Sequence, residues 1–252
     1  MEFLDYSSLT IATVVLTFFA AAMLYAAVGH GGASAYLMVM ALMGMEWMVA
    51  KPVALVLNVC VSLLASCLWL RKGWFEWRLF WPLAIAAVPA CYGGAMMPMS
   101  SVVFHAGMAL VLCCGAVRLL WPPSHAAKEV TGRGLPGLFV MGAVIGFFSG
   151  WLGIGGGVFL TPLLLFLRYA QEKTAAAVSA VFILLNSLIG LIGWWHREGE
   201  APAAIAWLIP AVLLGSWIGA SWGSARASSP ALRRCLASML FVAAVKFIWV
   251  TG

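Results

Sequence analysis

Apolar residues fall in long unbroken runs divided by short polar stretches. The runs cover approximately 8–28, 50–70, 79–97, 102–121, 135–152, 174–195, 203–223 and 231–250. Each is close to the roughly 20 apolar residues a helix needs to cross a bilayer. Two shorter runs, near 34–45 and 157–168, each directly follow a glycine cluster. The ten-residue alternation of an outer-membrane barrel strand is missing. The expected fold class is therefore an all-α polytopic membrane protein, with about eight full spans and two short helices after glycine breaks, eight to ten helices in all.

The order of features repeats. Each half opens with an apolar run ending in a glycine cluster, Gly29-His30-Gly31-Gly32 or Gly153-Ile154-Gly155-Gly156-Gly157. A short apolar run follows, then a polar turn (Met45 to Trp47, or Arg168 to Lys173), a full span and a charged loop. The next span carries a proline and a glycine five apart, Pro89 with Gly94 and Pro210 with Gly215, both pairs offset by 121. These pairs are candidate hinges. The expected organisation is a first repeat over 1–122, a cytoplasmic linker over 123–134 and a second repeat over 135–252.

Composition narrows the class. Of 252 residues, 64% are hydrophobic and 22 are Lys, Arg, Asp or Glu. That is 9% charged, against roughly 25% in a soluble domain. No soluble catalytic domain fits between the runs, and disorder is excluded by the apolar content. The formal charge of +6 comes from basic residues in short loops, where they act as orientation signals, so no nucleic-acid partner is expected. The six cysteines lie within or beside apolar segments without CxxC spacing, so they read as packing residues. No Lys or Arg precedes Lys51, which makes the first run a permanent span rather than a cleaved signal peptide.

The basic residues also choose a topology. If each glycine cluster is the tip of a helical hairpin, one face collects 11 of them, among them Arg71, Lys72, Arg78, Arg168 and Lys173. The other face receives 3, namely Lys51, Arg197 and Lys246. If each cluster only interrupts a continuous span, the split is 6 to 8 and orients nothing. The positive-inside rule selects the hairpins, places both termini outside and inverts the two halves relative to each other.

A glycine run inside a membrane helix has two readings. Close helix packing through small residues predicts glycines four apart, as Gly142 and Gly146 are. Four glycines within Gly153–Gly157 point all around a helix and weaken it by about 1 kcal/mol each, so an unwound turn lining a cavity explains them better. A helix N-terminus follows each turn, at Ala33 and at Val158, where free N–H groups and the positive dipole end converge into an anion site. The substrate-binding candidates at the tips are Gly29, His30, Gly31, Gly32, Ala33, Gly153, Gly155, Gly156 and Gly157.

Uncharged polar residues in the spans add hydrogen-bond donors. Asn58, Ser62 and Ser66 follow one helical face, and Ser179, Asn186 and Ser187 occupy the matching run of the second half. Alignment of the spans sets Asn58 opposite Ser179 and Ser66 opposite Ser187; Asn58, Ser179 and Asn186 join the candidates. For each of them plain interhelical hydrogen bonding is the competing account. His30, in the first tip, is a proton-coupling candidate, with a neutral imidazole capped by a carbonyl as the bland alternative. No span core contains Asp or Glu, and neither HExxH nor GxSxG occurs, so neither cation-carrier nor hydrolase chemistry is expected and the protein is not expected to be an enzyme. No cofactor or metal is expected. Trp69, Trp74, Trp77 and Trp81 bracket the basic loop 71–78 as interface anchors.

Gly153-Ile154-Gly155-Gly156-Gly157, Thr161-Pro162 and the Thr174-to-Ser179 segment, in a duplicated all-helical chain of this length, resemble the sulfite exporter (TauE/SafE) family over essentially the whole sequence. The first-half version is looser: Ala33-Ser34 follows its cluster, Met38 holds the place of Pro162, and Asn58 stands where the family pattern more often has Ser. The resemblance implies transport of sulfite or small organosulfonates across the bacterial inner membrane, often outward. The expected partners are a small anionic substrate and the lipid bilayer, with a homo-oligomer left open. Alternatives are a passive anion channel and a soft-metal permease using His30 with Met38, Met40, Met43 and Met45.

Overall fold

The structure, a computed structural model, describes residues 8–27, 31–120, 134–198, 208–225 and positions 241, 244 and 245. The described residues form nine helices and no strand: α1 (Ser8–Ala27), α2 (Ala33–Leu42), α3 (Trp47–Arg71), α4 (Trp77–Met96), α5 (Ser101–Leu120), α6 (Leu135–Leu152), α7 (Gly157–Phe166), α8 (Glu172–Glu198) and α9 (Ile209–Ala225). In a bilayer each backbone N–H and C=O needs a partner inside its own segment, which is why uninterrupted apolar runs become helices. Helices α3, α4, α6 and α8 are long and apolar enough to cross a membrane; Ala12–Ala27, Ser101–Val117 and Ile209–Trp222 are shorter apolar stretches. The last apolar run, 231–250, lies outside the described residues apart from the three single positions.

Two pairs of helices turn back as hairpins. The turn between α6 and α7 contains three glycines in the left-handed region, Gly153 (φ +76), Gly155 (φ +71) and Gly156 (φ +79). The chain reverses there, and Tyr169 beyond α7 packs its hydroxyl against Gly137 at the start of α6. Helices α1 and α2 lie together, with Phe18 stacked on Tyr36 at a ring separation of 5.4 Å. Only Gly31 and Gly32 of the first turn are described; Gly29 and His30 lie outside the described residues. The second short helix begins at Gly157, one residue before the expected Val158.

Small residues decide which helices lie side by side. Gly142, Gly146 and Gly150, spaced by four, form a flat strip on α6 against the α4 backbone at Leu83, Ala87 and Cys91. A methyl group on Gly146 would stand 2.7 Å from the Ala87 Cα. From the other side Gly94 of α4 meets the Phe147 and Trp151 backbone, its Cβ position 3.1 Å from the Trp151 nitrogen. Gly215 and Gly219 of α9 do the same against Phe19 and Met23 of α1. Both pairings run parallel, because the contact residues advance together along the two chains. Helix α1 therefore starts at the end where α8 finishes and α9 starts, while α6 starts at the opposite end, beside the start of α4. Pro89 is exposed within α4, and Pro210 is the second residue of α9, where a proline forfeits no helix hydrogen bond.

Substituting Gly146 by Val would force α4 and α6 apart. Overpacking of this kind costs about 1–3 kcal/mol, so the detergent-purified variant is expected to melt several degrees below the parent. Gly93→Ala, with nothing within 4 Å of the new methyl, is the matched control. Equal melting temperatures for the two variants would show that the α4–α6 crossing is not held by glycine contact.

Helices α3 and α8 run antiparallel through the middle of the bundle. Asn58 pairs with Ser187, Leu55 faces Gly190, and Ala65 and Trp69 cluster with Ala176, Ala177 and Ala180. Two sequence expectations fail along this pair. Trp69, expected as an interface anchor, is buried in that alanine-lined cluster; Trp74 and Trp77 are exposed and Trp81 half-buried. Lys51, counted among the basic residues of the outer face, is fully buried (0% exposed). It sits one turn inside α3, and its long side chain runs inward rather than towards the interface.

Candidate functional site

The two glycine turns meet halfway along α3 and α8, at Asn58. The Asn58 Oδ1 accepts from the Ala33 N–H at the start of α2 (3.2 Å), and its Nδ2 donates to Ser187 Oγ (2.8 Å). Asn58 thus occupies the donor-rich N-terminus of α2 and ties it to α8. Both tips crowd its carboxamide. A Cβ on Gly31 would come 2.5 Å from Oδ1, and one on Gly155 would collide with Nδ2 and lie 2.9 Å from Ser187 Oγ. Gly157 faces Gly31, its Cβ position 3.6 Å from the Gly31 nitrogen. Ile183 of α8 wedges between them, its Cγ2 2.7 Å from the Gly31 Cβ position and its Cδ1 against that of Gly157.

The glycines are required for different reasons at the two tips. In the second tip the left-handed backbone and the close neighbours both exclude a side chain. In the first, Gly32 has φ −84, which any residue adopts; space decides there, since its Cβ would run into the Tyr36 hydroxyl.

The structure gathers some of the expected residues and separates others. Gly31, Ala33, Asn58, Gly155 and Gly157 share one place. Gly156 turns away, towards Ile145 and Phe182, and Gly153 packs on Lys51. Ser179 is not beside Asn58. It lies two turns of α8 from Ser187, about 12 Å along the axis, and accepts a hydrogen bond from Thr161 Oγ1 of α7 at 2.8 Å. Ser187 takes the place expected of Ser179. Ser62 Oγ donates to the Asn58 carbonyl at 2.6 Å, a bond within its own helix. Asn186 is fully buried with neither carboxamide atom paired. Met38 and Met40 belong to the apolar core, with Met43 and Met45 packed against it.

Two groups escaped the sequence reading. Tyr25, Ser34 and Tyr36 bury three hydroxyls near the first tip, the Tyr25 and Ser34 hydroxyls facing each other; tyrosines in apolar runs carry no distinguishing spacing. The other is Lys51. Its stem lies along Gly153, whose Cβ position is 2.6 Å from Cγ. Its Nζ donates to the Trp151 carbonyl at 2.7 Å and stands 5.3 Å from the centre of the Trp194 ring. It was legible in principle, since Lys51 and Asn58 are seven apart and share a helix face.

The arrangement offers backbone N–H groups, a carboxamide and hydroxyls at the middle of the bundle and the Lys51 amine towards one end, with Glu46 and Glu198 confined to the helix termini at that end. Such a set suits an anion.

Comparison with known proteins agrees on the class. The family model described as sulfite exporter TauE/SafE matches residues 14–247. A probable membrane transporter protein of Sinorhizobium fredii is 36% identical over 251 residues, covering 94% of this chain and 97% of its own. A probable membrane transporter protein of Methanocaldococcus jannaschii is 31% identical over 131 residues, 47% of this chain and 48% of its own. One from Bacillus subtilis is 34% identical over 83 residues, 32% and 29% of the two chains. No solved structure matches.

Proposed function

The chain belongs to the sulfite exporter TauE/SafE family, a family of multi-pass membrane transporters, and from that premise we propose that it is a secondary transporter exporting sulfite or a small organosulfonate across the bacterial inner membrane. The observation that carries the proposal is the meeting of two glycine-broken helices on Asn58, halfway along α3 and α8. Secondary transporters bind near the midplane at discontinuous helices whose N-termini face an anionic group. Sulfite is compact, acceptor-rich and negatively charged, and backbone N–H groups with a carboxamide match it without desolvating a fixed charge.

The hairpin α1–α2 enters from the end where α8 finishes, and α6–α7 from the end where α8 starts. Helix α1 pairs with α9, and α6 with α4, so each half's first helix packs on the other half's fourth. Both features support two inverted repeats. The split of basic residues between the two faces, 11 to 3, supports a topology with both termini in the periplasm. Asn58 and Ile183 fill the space between the tips, so the anion enters when the tips part, as alternating access requires. Pro89 and Pro210 are the positions where the flanking helices would bend, and Gly94 and Gly215 the contacts about which they would slide. His30, beside Gly31, is the candidate for exchanging a proton with the anion.

The test is counterflow in liposomes of labelled sulfite, small sulfonates and simple carboxylates, with and without a pH gradient. Saturable sulfur-anion exchange is expected, accelerated by the gradient. Carboxylate exchange alone would move the substrate out of the sulfur class. Unsaturable flux would make the protein a passive anion channel, and no flux of any anion would overturn the reading.

A further inference from the structure

Lys51 places an ionisable side chain in the protein interior. It is fully buried one turn inside α3, and no carboxylate pairs with it among the described residues. One proton meets the Trp151 carbonyl at the C-terminal end of α6, and the Trp194 ring lies 5.3 Å from Nζ. A lysine there complements the negative end of the α6 dipole. A neutral donor would satisfy that carbonyl equally well without taking an ammonium out of water, which is costly unless the charge is paired. Capping therefore explains the hydrogen bond and leaves the choice of an ionisable side chain unexplained.

The surroundings are rich in idle donors. The indole N–H of Trp194, on the ring beside the ammonium, is buried without a partner, as is that of Trp151. The α3–α8 register sets Lys51 level with Trp194 and Asn58 level with Ser187, and Lys51 and Asn58 share a face two turns apart, about 10 Å. Asn186, with both carboxamide atoms unpaired, lies on the side of α8 that carries Gly190 and Trp194. Towards the end of the bundle the same helix reaches Arg197, which donates to the Met97 carbonyl at 2.8 Å and pairs with Glu198 at 3.0 Å. Donors thus continue from the helix end to the tips.

We propose that Lys51 and the Trp194 indole form a second anion station, through which the substrate passes between the glycine tips and the end of the bundle where α3 begins. The anion displaces the Trp151 carbonyl from the ammonium and accepts from the indole N–H; on leaving, it returns the carbonyl to Lys51. The station rests on the reading of the protein as an anion transporter, and the substrate supplies the counter-ion that Lys51 lacks among the described residues.

The test follows thermal stabilisation of the detergent-purified protein by sodium sulfite at constant ionic strength. Lys51→Gln keeps a donor for the Trp151 carbonyl and removes the charge; it is expected to raise the half-saturating sulfite concentration at least tenfold. Lys51→Arg should stay within about threefold of the parent, and Trp194→Phe, which keeps the ring and loses the N–H, should fall between. If Lys51→Gln saturates at the parent's concentration, Lys51 is a helix cap and the station is wrong. Should Lys51→Gln prove too unstable to purify, Trp194→Phe decides: an unshifted midpoint overturns the station. Sulfite stabilisation kept in Lys51→Gln but lost in Asn58→Leu would sink the station and leave the tips standing. No stabilisation of the parent protein by sulfite, with no counterflow, removes both.

Discussion

Replacing Asn186 and Asn58 in turn by leucine is expected to move stability in opposite directions while both variants lose transport. Asn186 buries a carboxamide with neither end paired, and an unsatisfied buried polar group costs about 1–3 kcal/mol. Leucine is of similar size and removes that cost, so Asn186→Leu should melt at or above the parent temperature. Asn58 holds the Ala33 N–H and the Ser187 hydroxyl. Asn58→Leu leaves both without their partner in the protein interior, a loss of about 2–6 kcal/mol when each orphaned group is counted at its usual cost. Sulfite counterflow should fall at least tenfold in each. A residue kept for stability does not stabilise the fold when removed, so a higher melting temperature with lower transport in Asn186→Leu marks a substrate contact. Full transport in that variant would remove Asn186 from the site.

The second large effect is expected at Gly155. Alanine there must adopt φ +71, which costs about 1–2 kcal/mol for an L-residue with a Cβ. Its methyl also enters the space of the Asn58 carboxamide and reaches Ser187 Oγ, an overpacking worth about 1–3 kcal/mol more. Gly44 separates the two terms. It has φ +73 and nothing within 4 Å of a Cβ, so Gly44→Ala carries the backbone cost alone. The difference in melting temperature between Gly155→Ala and Gly44→Ala measures the collision with Asn58. Counterflow should collapse in Gly155→Ala and survive in Gly44→Ala. If the two variants melt together and transport alike, the tip does not depend on its contact with Asn58.

The apolar runs located most of the described helices to within a few residues because a bilayer leaves the backbone no alternative: each segment must satisfy its own hydrogen bonds, and that demand is local. The breaks at Gly31 and at Gly153–Gly157 were legible for the same reason, since clustered glycine weakens a helix wherever the neighbours lie. The strip of Gly142 and Gly146 was legible as a packing face from its spacing of four, though its partner was not. What tertiary structure decided is which side chains meet. Spacing along one helix fixes the face a residue occupies, but not the register of the helix that crosses it. Aligning the halves set Asn58 opposite Ser179, whereas the antiparallel packing of α3 on α8 delivers Ser187 to Asn58 and leaves Ser179 to Thr161. Lys51 follows the same logic. Near a helix end a lysine normally reaches for the interface; only the arrival of α6 with a free carbonyl at Trp151, and of α8 with Trp194, turned it inward. The sequence by itself therefore determined the helices and the broken tips. Packing alone decided the Asn58–Ser187 bridge and the buried Lys51, because both depend on contacts between segments more than 90 residues apart.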